Sequence, residues 1–152
     1  MGQPQHENDL SFRTWISDTS KTLIAAQTHR DDFCTLNYSS GTTGQPKGIL
    51  HTHKDYFLTA QHAGVELFGI KETDRTFSLS KLFFTYGISN SLIFPCYVGG
   101  SVVLYAGAVR LVRILETIER FQPTVMFTVP TVYISFLQVR SLIEQYDLSS
   151  LR

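Results

Sequence analysis

The hydrophobic pattern changes character near residue 30. Residues 1–30 are polar and mixed, with apolar patches at Phe12, Trp15, Ile16 and at Leu23, Ile24, Ala25, Ala26 that follow no clear period, which predicts a lead-in with one short helix. After Asp31-Asp32, the aromatic and β-branched run Phe33–Tyr38 predicts a strand ending in the Ser/Gly/Thr-rich loop Ser39–Gly48, and Ile49–His53 predicts a returning strand. Lys54–Phe68 has helical spacing with Gly69 as its stop, and Lys71–Asp74 reads as a turn.

From Arg75 onward strand and helix patterns alternate. Arg75–Ser80 predicts a strand, Gly87–Val98 a buried, bent helix, and Ser101–Tyr105 a strand entered through Gly99-Gly100. Leu111, Ile114, Leu115, Ile118 and Phe121 recur at three- and four-residue steps and leave Arg113, Glu116, Glu119 and Arg120 for solvent, the mark of an amphipathic helix. Pro123 ends it, Thr124–Val129 predicts a strand, and Pro130 opens a helix over Thr131–Gln145. Connections this short between parallel strands need helices packed on the sheet, so the fold class is α/β with a mostly parallel sheet flanked by helices.

The 152 residues carry 13 basic and 13 acidic side chains, and 43% are apolar, which fits a folded globular unit. With zero formal net charge and no Lys/Arg block, neither nucleic acid nor an anionic membrane is an expected partner. Leu82–Val109 and Phe121–Val139 are uncharged, yet Gly87, Pro95, Gly99 and Gly100 interrupt the first and Pro123 and Pro130 the second. They read as buried elements joined by turns, with no membrane span. The N-terminus is polar where a secretory signal needs an apolar run, and His6 stands where myristoylation wants Ser or Thr. Cys34 and Cys96 have no metal-knuckle spacing and read as buried, reduced thiols of a cytoplasmic protein.

The candidate chemistry lies in Tyr38–Gly48, YSSGTTGQPKG. Small residues let successive backbone N–H groups encircle an anion, the hydroxyls of Ser39, Ser40, Thr42 and Thr43 add donors, and Lys47 adds a full positive charge: a polyphosphate cradle. It lacks the spacing of the P-loop and of the dinucleotide fingerprint, and the strand-like segment after it offers no helix dipole. By composition alone it also reads as a flexible hairpin with a solvated lysine.

The eleven residues resemble the phosphate-binding signature of the adenylate-forming superfamily, which includes acyl- and aryl-CoA synthetases, luciferases and peptide-synthetase adenylation domains. GILHTHKDY, SLSKLFFTYGISNSLIFPCYVGGSVVLY and ERFQPTVMFTVPTVYISFL are most similar to stretches of benzoate-CoA and 4-hydroxybenzoate-CoA ligases. Phe84 stands where many relatives place a histidine, an aryl-ligase-like choice. The resemblance implies that a carboxylate attacks the α-phosphate of ATP to give an acyl-adenylate, from which coenzyme A then displaces AMP. It further implies that Ser39, Ser40, Gly41, Thr42, Thr43, Gly44 and Lys47 bind phosphate, with Lys47 and Thr43 in catalytic roles and Thr43 as the contact to Mg2+. Phe84, Tyr86 and Gly87 would border the pocket of an aromatic carboxylate.

The residue pattern sets off a lead-in, 1–30, and the resemblance, which extends from about Phe12 to the C-terminus, makes 31–152 a partial AMP-binding domain with the phosphate loop at 38–48 and an acyl-pocket segment at 81–105. The superfamily's later motifs and its C-terminal domain have no counterpart, and the ending after a helix, Tyr146–Arg152, reads as a cut. The expectation is a fragment of the large N-terminal domain of an aromatic acid–CoA ligase, inactive alone and prone to self-association or to pairing with the remainder of the enzyme. The alternative is a non-catalytic remnant that at most binds polyphosphate or complements a separately encoded partner.

Other residues have plainer readings. His51 and His53, two apart on a strand, share a face as a metal pair would, but no third ligand is placed by spacing, so a hydrogen-bonded structural role is expected. Lys81 either contacts a substrate carboxylate or caps an element. Apart from the resemblance, Phe83, Phe84 and Tyr86 read as ordinary core, and Glu66, Glu72 and Asp74 as solvated charges.

Overall fold

The computed structural model describes residues 11–17, 19–41 and 44–152. The lead-in forms one short helix, α1 (Phe12–Ser17). Strands β1 (Phe33–Ser39) and β2 (Lys47–Thr52) pair antiparallel, with Ser39 opposite Lys47 and Tyr38 opposite Gly48. The helix after β2 begins one residue earlier than the sequence pattern predicts: α2 (His53–Thr59) runs on as a π-helix, Ala60–Leu67, and ends at Gly69 with φ +64°. Asp55 accepts the Thr52 N–H at 2.8 Å and so closes the first turn of α2.

The second sheet is parallel, in the order β4-β3-β5, from β3 (Arg75–Ser78), β4 (Ser101–Leu104) and β5 (Val125–Phe127). Between β3 and β4 the chain passes through α3 (Thr85–Ile88), a π-helical stretch, Ser89–Ile93, and α4 (Phe94–Val98). The bend expected in this run has a cause: Pro95 lacks an N–H and its ring crowds the carbonyl four positions back, Ser91, which the widened turn accommodates. Gly99, at φ +75°, ends it.

α5 (Leu111–Phe121) buries Ile114, Leu115 and Ile118, as its period predicts, while Leu111 is half-buried and Phe121, the last of the expected stripe, is exposed where the helix ends. Gln122 takes the left-handed conformation, φ 48°, directly before Pro123. The last helical pattern is two helices, α6 (Pro130–Gln138) and α7 (Arg140–Ile143), because Val139 leaves helical geometry at φ −121° and ψ 40°.

Both faces of the parallel sheet are covered. On one, Phe77, Val103, Ile114, Ile118 and Val132 form a core with Met126 and Leu151 against it; on the other, Phe127 packs with Ala60, Ile70 and Phe94. Glycine at 64 permits the second packing, since a Cβ there would lie 3.0 Å from the Phe94 ring. No described helix is long and apolar enough to cross a membrane.

Several expectations about burial are corrected. Cys34 and Cys96 are both free, and both are exposed rather than buried: Cys34 lies on the open β1 and Cys96 on the outer face of α4. Asp74 is buried, not solvated, because Arg152 and Thr124 supply the partners that water would. Phe83, Phe84 and Tyr86 are 80%, 57% and 43% exposed, so they are not core: Phe83 and Phe84 lie on the stretch between β3 and α3, past the carboxyl end of the sheet, and Tyr86, within α3, meets the core edge-on at Phe127.

Candidate functional site

The hairpin loop lies at the outer end of β1 and β2, and its base is tied to α2. The His53 N–H donates to Asp32 O at 3.2 Å, the Lys54 N–H to Arg30 O at 2.9 Å, and the Lys54 ammonium pairs with Asp31. The Thr35 and Tyr56 hydroxyls share a hydrogen bond. This anchoring leaves the tip open: Ser39, Ser40, Gly44 and Lys47 are exposed and Gly41 is half-buried. The hydroxyls of Ser39 and Ser40 and the Lys47 ammonium make no hydrogen bond or ion pair with another described residue. Thr42 and Thr43, for which phosphate and magnesium roles are expected, lie outside the described residues.

Two glycines shape the tip. Gly41 sits at φ +62° with Gln45 O only 2.5 Å from where a Cβ would stand, so the loop folds over it and no side chain fits. Gly44, at φ +84°, faces open space and needs glycine for conformation alone. Two hydroxyls and an ammonium that no other described residue engages, on the rim of a loop bent at Gly41, suit an anion with several oxygens.

The second group, Phe84, Tyr86 and Gly87, lies past the carboxyl end of β3, where open α/β sheets place ligands. Phe84 precedes α3 in extended conformation and packs tilted against Phe83, ring centroids 4.6 Å apart and planes at 48°. Tyr86 stands edge-on to Phe127 and its hydroxyl donates to Thr128 O at 3.4 Å. Burial pushes its phenol above the ordinary value, while the neighbouring Asn90 side chain, which favours the phenolate, pulls it back. Gly87 is buried for packing: a Cβ would meet Lys81 O at 2.1 Å, so α3 rests directly on that carbonyl. No hydrogen bond, ion pair or ring contact among the described residues joins this group to the hairpin tip.

Sequence reasoning missed two polar groups here. Thr128 Oγ1 is buried with no hydrogen-bond partner among the described residues, and Asn90 Nδ2, also buried, stands close enough to the Tyr86 hydroxyl to act on it but closes no full hydrogen bond among those residues. An orphan of this kind costs about 1–3 kcal/mol unless something else satisfies it. Their signal in the sequence is weak: Asn90 sits between Ser89 and Ser91, and Thr128 is a lone polar residue in an apolar run.

The two readings of Lys81 separate. Its ammonium donates to Tyr105 O and Gly107 O, both at 2.7 Å, and stands 5.0 Å from the Tyr105 ring centroid. It caps the loop after β4. His51 and His53 do not form a strand-face pair, since His53 is the first residue of α2, while His51 lies 3.5 Å from Asp55. Among the described residues no three His, Cys, Asp or Glu side chains gather as a metal site.

A profile of the AMP-binding enzyme family matches residues 3–152. The chain belongs to that family. It is 42% identical over 127 residues to the benzoate–CoA ligase of Thauera aromatica, a match covering 84% of this chain and 24% of the relative. With the 4-hydroxybenzoate–CoA/benzoate–CoA ligase of Rhodopseudomonas palustris the identity is 41%, over 74% of this chain and 21% of that protein. The chain thus spans about a quarter of the length of these relatives. Among solved structures, the anthranilate CoA ligase AuaEII in complex with anthranoyl-AMP superposes with a TM-score of 0.88 at 55% identity, covering 99% of this chain and 29% of that one. A benzoate CoA ligase from Burkholderia xenovorans LB400 gives 0.75 at 36%, covering 86% and 26%. The α/β fold is that of the N-terminal domain of adenylate-forming enzymes, and the relatives are aromatic acid–CoA ligases.

Proposed function

We propose that this chain is the phosphate-loop and acyl-pocket portion of an ATP-dependent aromatic carboxylic acid–CoA ligase, with 31–152 as the folded unit that carries both. The observation that carries the reading is the hairpin tip: a loop bent over Gly41, with the Ser39 and Ser40 hydroxyls and the Lys47 ammonium, unpartnered among the described residues, on its rim.

ATP supplies the activated phosphorus that a carboxylate attacks, and coenzyme A the thiol that takes the acyl group. What the chain itself contributes is positioning and charge. Ser39, Ser40 and the backbone around Gly41 and Gly44 would hold the β- and γ-phosphate oxygens, with Lys47 offsetting the negative charge that grows on pyrophosphate as it leaves. Thr42 would add a donor to phosphate, and Thr43 would both contact phosphate and orient Mg2+. Phe84, Tyr86 and Gly87 would form one wall of the aryl pocket, where a flat ring lies against Tyr86 and keeps water from the adenylate. A polar substituent on that ring is in line with the hydroxybenzoate and anthranilate ligases among the relatives.

Pyrophosphate titrated into the 152-residue chain is expected to bind, and Lys47→Ala to weaken binding by about tenfold, the worth of one charge-assisted contact. Equal affinity in the variant refutes the role given to Lys47. In a polypeptide containing this segment, benzoate is expected to drive exchange of labelled pyrophosphate into ATP and a fatty acid is not. The 152 residues alone are expected to form no acyl-CoA.

A further inference from the structure

We propose that Lys81 is a positioning residue for the aryl pocket, holding Phe84 and Tyr86 in register with the loop that follows β4. The inference rests on the reading of residues 81–105 as the acyl segment. Lys81 is the only cation between Arg75 and Arg110, and it is joined to two neighbours in opposite directions. Its side chain reaches out to the loop after β4, donating to Tyr105 O and Gly107 O at 2.7 Å each, with the ammonium over the Tyr105 ring. Its main chain reaches forward: its carbonyl accepts the Phe84 N–H at 3.0 Å and lies directly under Gly87.

The loop it grips is itself wound tightly. The Tyr105 hydroxyl donates to Ala108 O at 2.8 Å, a Cβ on Gly107 would touch that hydroxyl at 2.9 Å, and the ring stands edge-on to buried Phe77. Tyr105 is therefore fixed to the core, and Lys81 transmits that fixed point to the first turn of α3. A primary ammonium suits this position, because two of its donors satisfy carbonyls while the charge faces an aromatic surface. With those donors committed, Lys81 sets where Phe84 and Tyr86 stand and does not itself hold a substrate carboxylate.

The test uses the 152-residue chain, with benzoate and inorganic pyrophosphate as separate probes and amide chemical shifts as the readout. In the wild type, benzoate is expected to move Phe84, Tyr86 and Gly87, and pyrophosphate to move Gly41 and Gly44. Lys81→Met, which keeps the aliphatic stem, should weaken benzoate binding by about tenfold and leave pyrophosphate binding unchanged; Lys81→Arg, which keeps charge and donors, should recover most of the loss. Wild-type affinity for benzoate in Lys81→Met overturns this inference and leaves the aryl-pocket reading standing. Parallel loss of both ligands, or a Lys81→Arg chain no better than Lys81→Met, makes Lys81 merely structural and also overturns it. If Lys81→Met does not fold, Lys81→Arg decides: benzoate affinity near the wild type supports the inference and a tenfold loss overturns it. Benzoate that moves none of residues 84, 86 and 87 in the wild type sinks the aryl-pocket reading and this inference together.

Discussion

Arg152 grips Asp74 with two bonds across 78 positions of chain, Nη2 to Oδ2 at 2.7 Å and Nε to Oδ1 at 3.1 Å. The same guanidinium donates to Gly69 O at 2.8 Å, and the carboxylate also accepts the Thr124 hydroxyl at 2.7 Å and the Lys71 N–H at 2.8 Å. One buried acid thus joins the turn before β3, the start of β5 and the last residue of the chain. These partners lower the Asp74 carboxyl from 3.8 to about 2, the Arg152 hydrogen bond contributing most.

A carboxyl depressed in the folded state stabilises above its unfolded value and loses that contribution as pH falls through the folded value. Between pH 3.8 and about 2 the chain should therefore lose about 1–2 kcal/mol through this group, a figure reduced because the guanidinium is half in solvent. Thermal unfolding from pH 5 to pH 2 should show this loss in the wild type and a flatter profile in Arg152→Met. Parallel profiles would show that the pair contributes nothing.

The two loop glycines should respond unequally. Gly44→Ala places a methyl in open space and incurs only the left-handed penalty, about 1–2 kcal/mol. Gly41→Ala incurs the same penalty and drives a Cβ to 2.5 Å from Gln45 O, so the tip must reopen. Pyrophosphate affinity is expected to fall further in Gly41→Ala than in Gly44→Ala, measured by calorimetry.

Gly87→Ala tests the seat of α3. Its Cβ would lie 2.1 Å from a backbone oxygen that no rotamer can move, so α3 must lift. A loss of about 2 kcal/mol or more in denaturant unfolding is expected, with altered near-UV signal from Tyr86. A silent substitution would mean that the carbonyl of Lys81 yields easily.

Ile114→Ala, at a fully buried site on α5, should cost about 2–5 kcal/mol, whereas the exposed Val112→Ala two residues earlier should cost well under 1. Urea denaturation separates the two.

The α5 stripe was legible because burial there follows the helix's own period: Ile114, Leu115 and Ile118 are inside as the spacing requires. The hairpin was legible for a similar reason, since turn chemistry at Ser39–Gly48 separates two strand-like runs. The burial of Asp74 was not, because its shelter is made by Thr124 and Arg152, far along the chain. Nor was the exposure of Phe83, Phe84 and Tyr86: aromatic composition reads as core, and only the course of the chain past β3 leaves these rings largely open to solvent.

Local chemistry sufficed for what depends on neighbours in sequence: the amphipathic faces, the glycines that bend the hairpin loop, and the string that marks the family. Everything set by long-range packing came from the folded chain. It alone turned Lys81 toward two carbonyls of another loop, buried Asn90 beside Tyr86, and closed the ion pair at Asp74. A side chain's role there depends on which distant groups the fold brings within hydrogen-bond reach, and no spacing along one strand or helix encodes that distance.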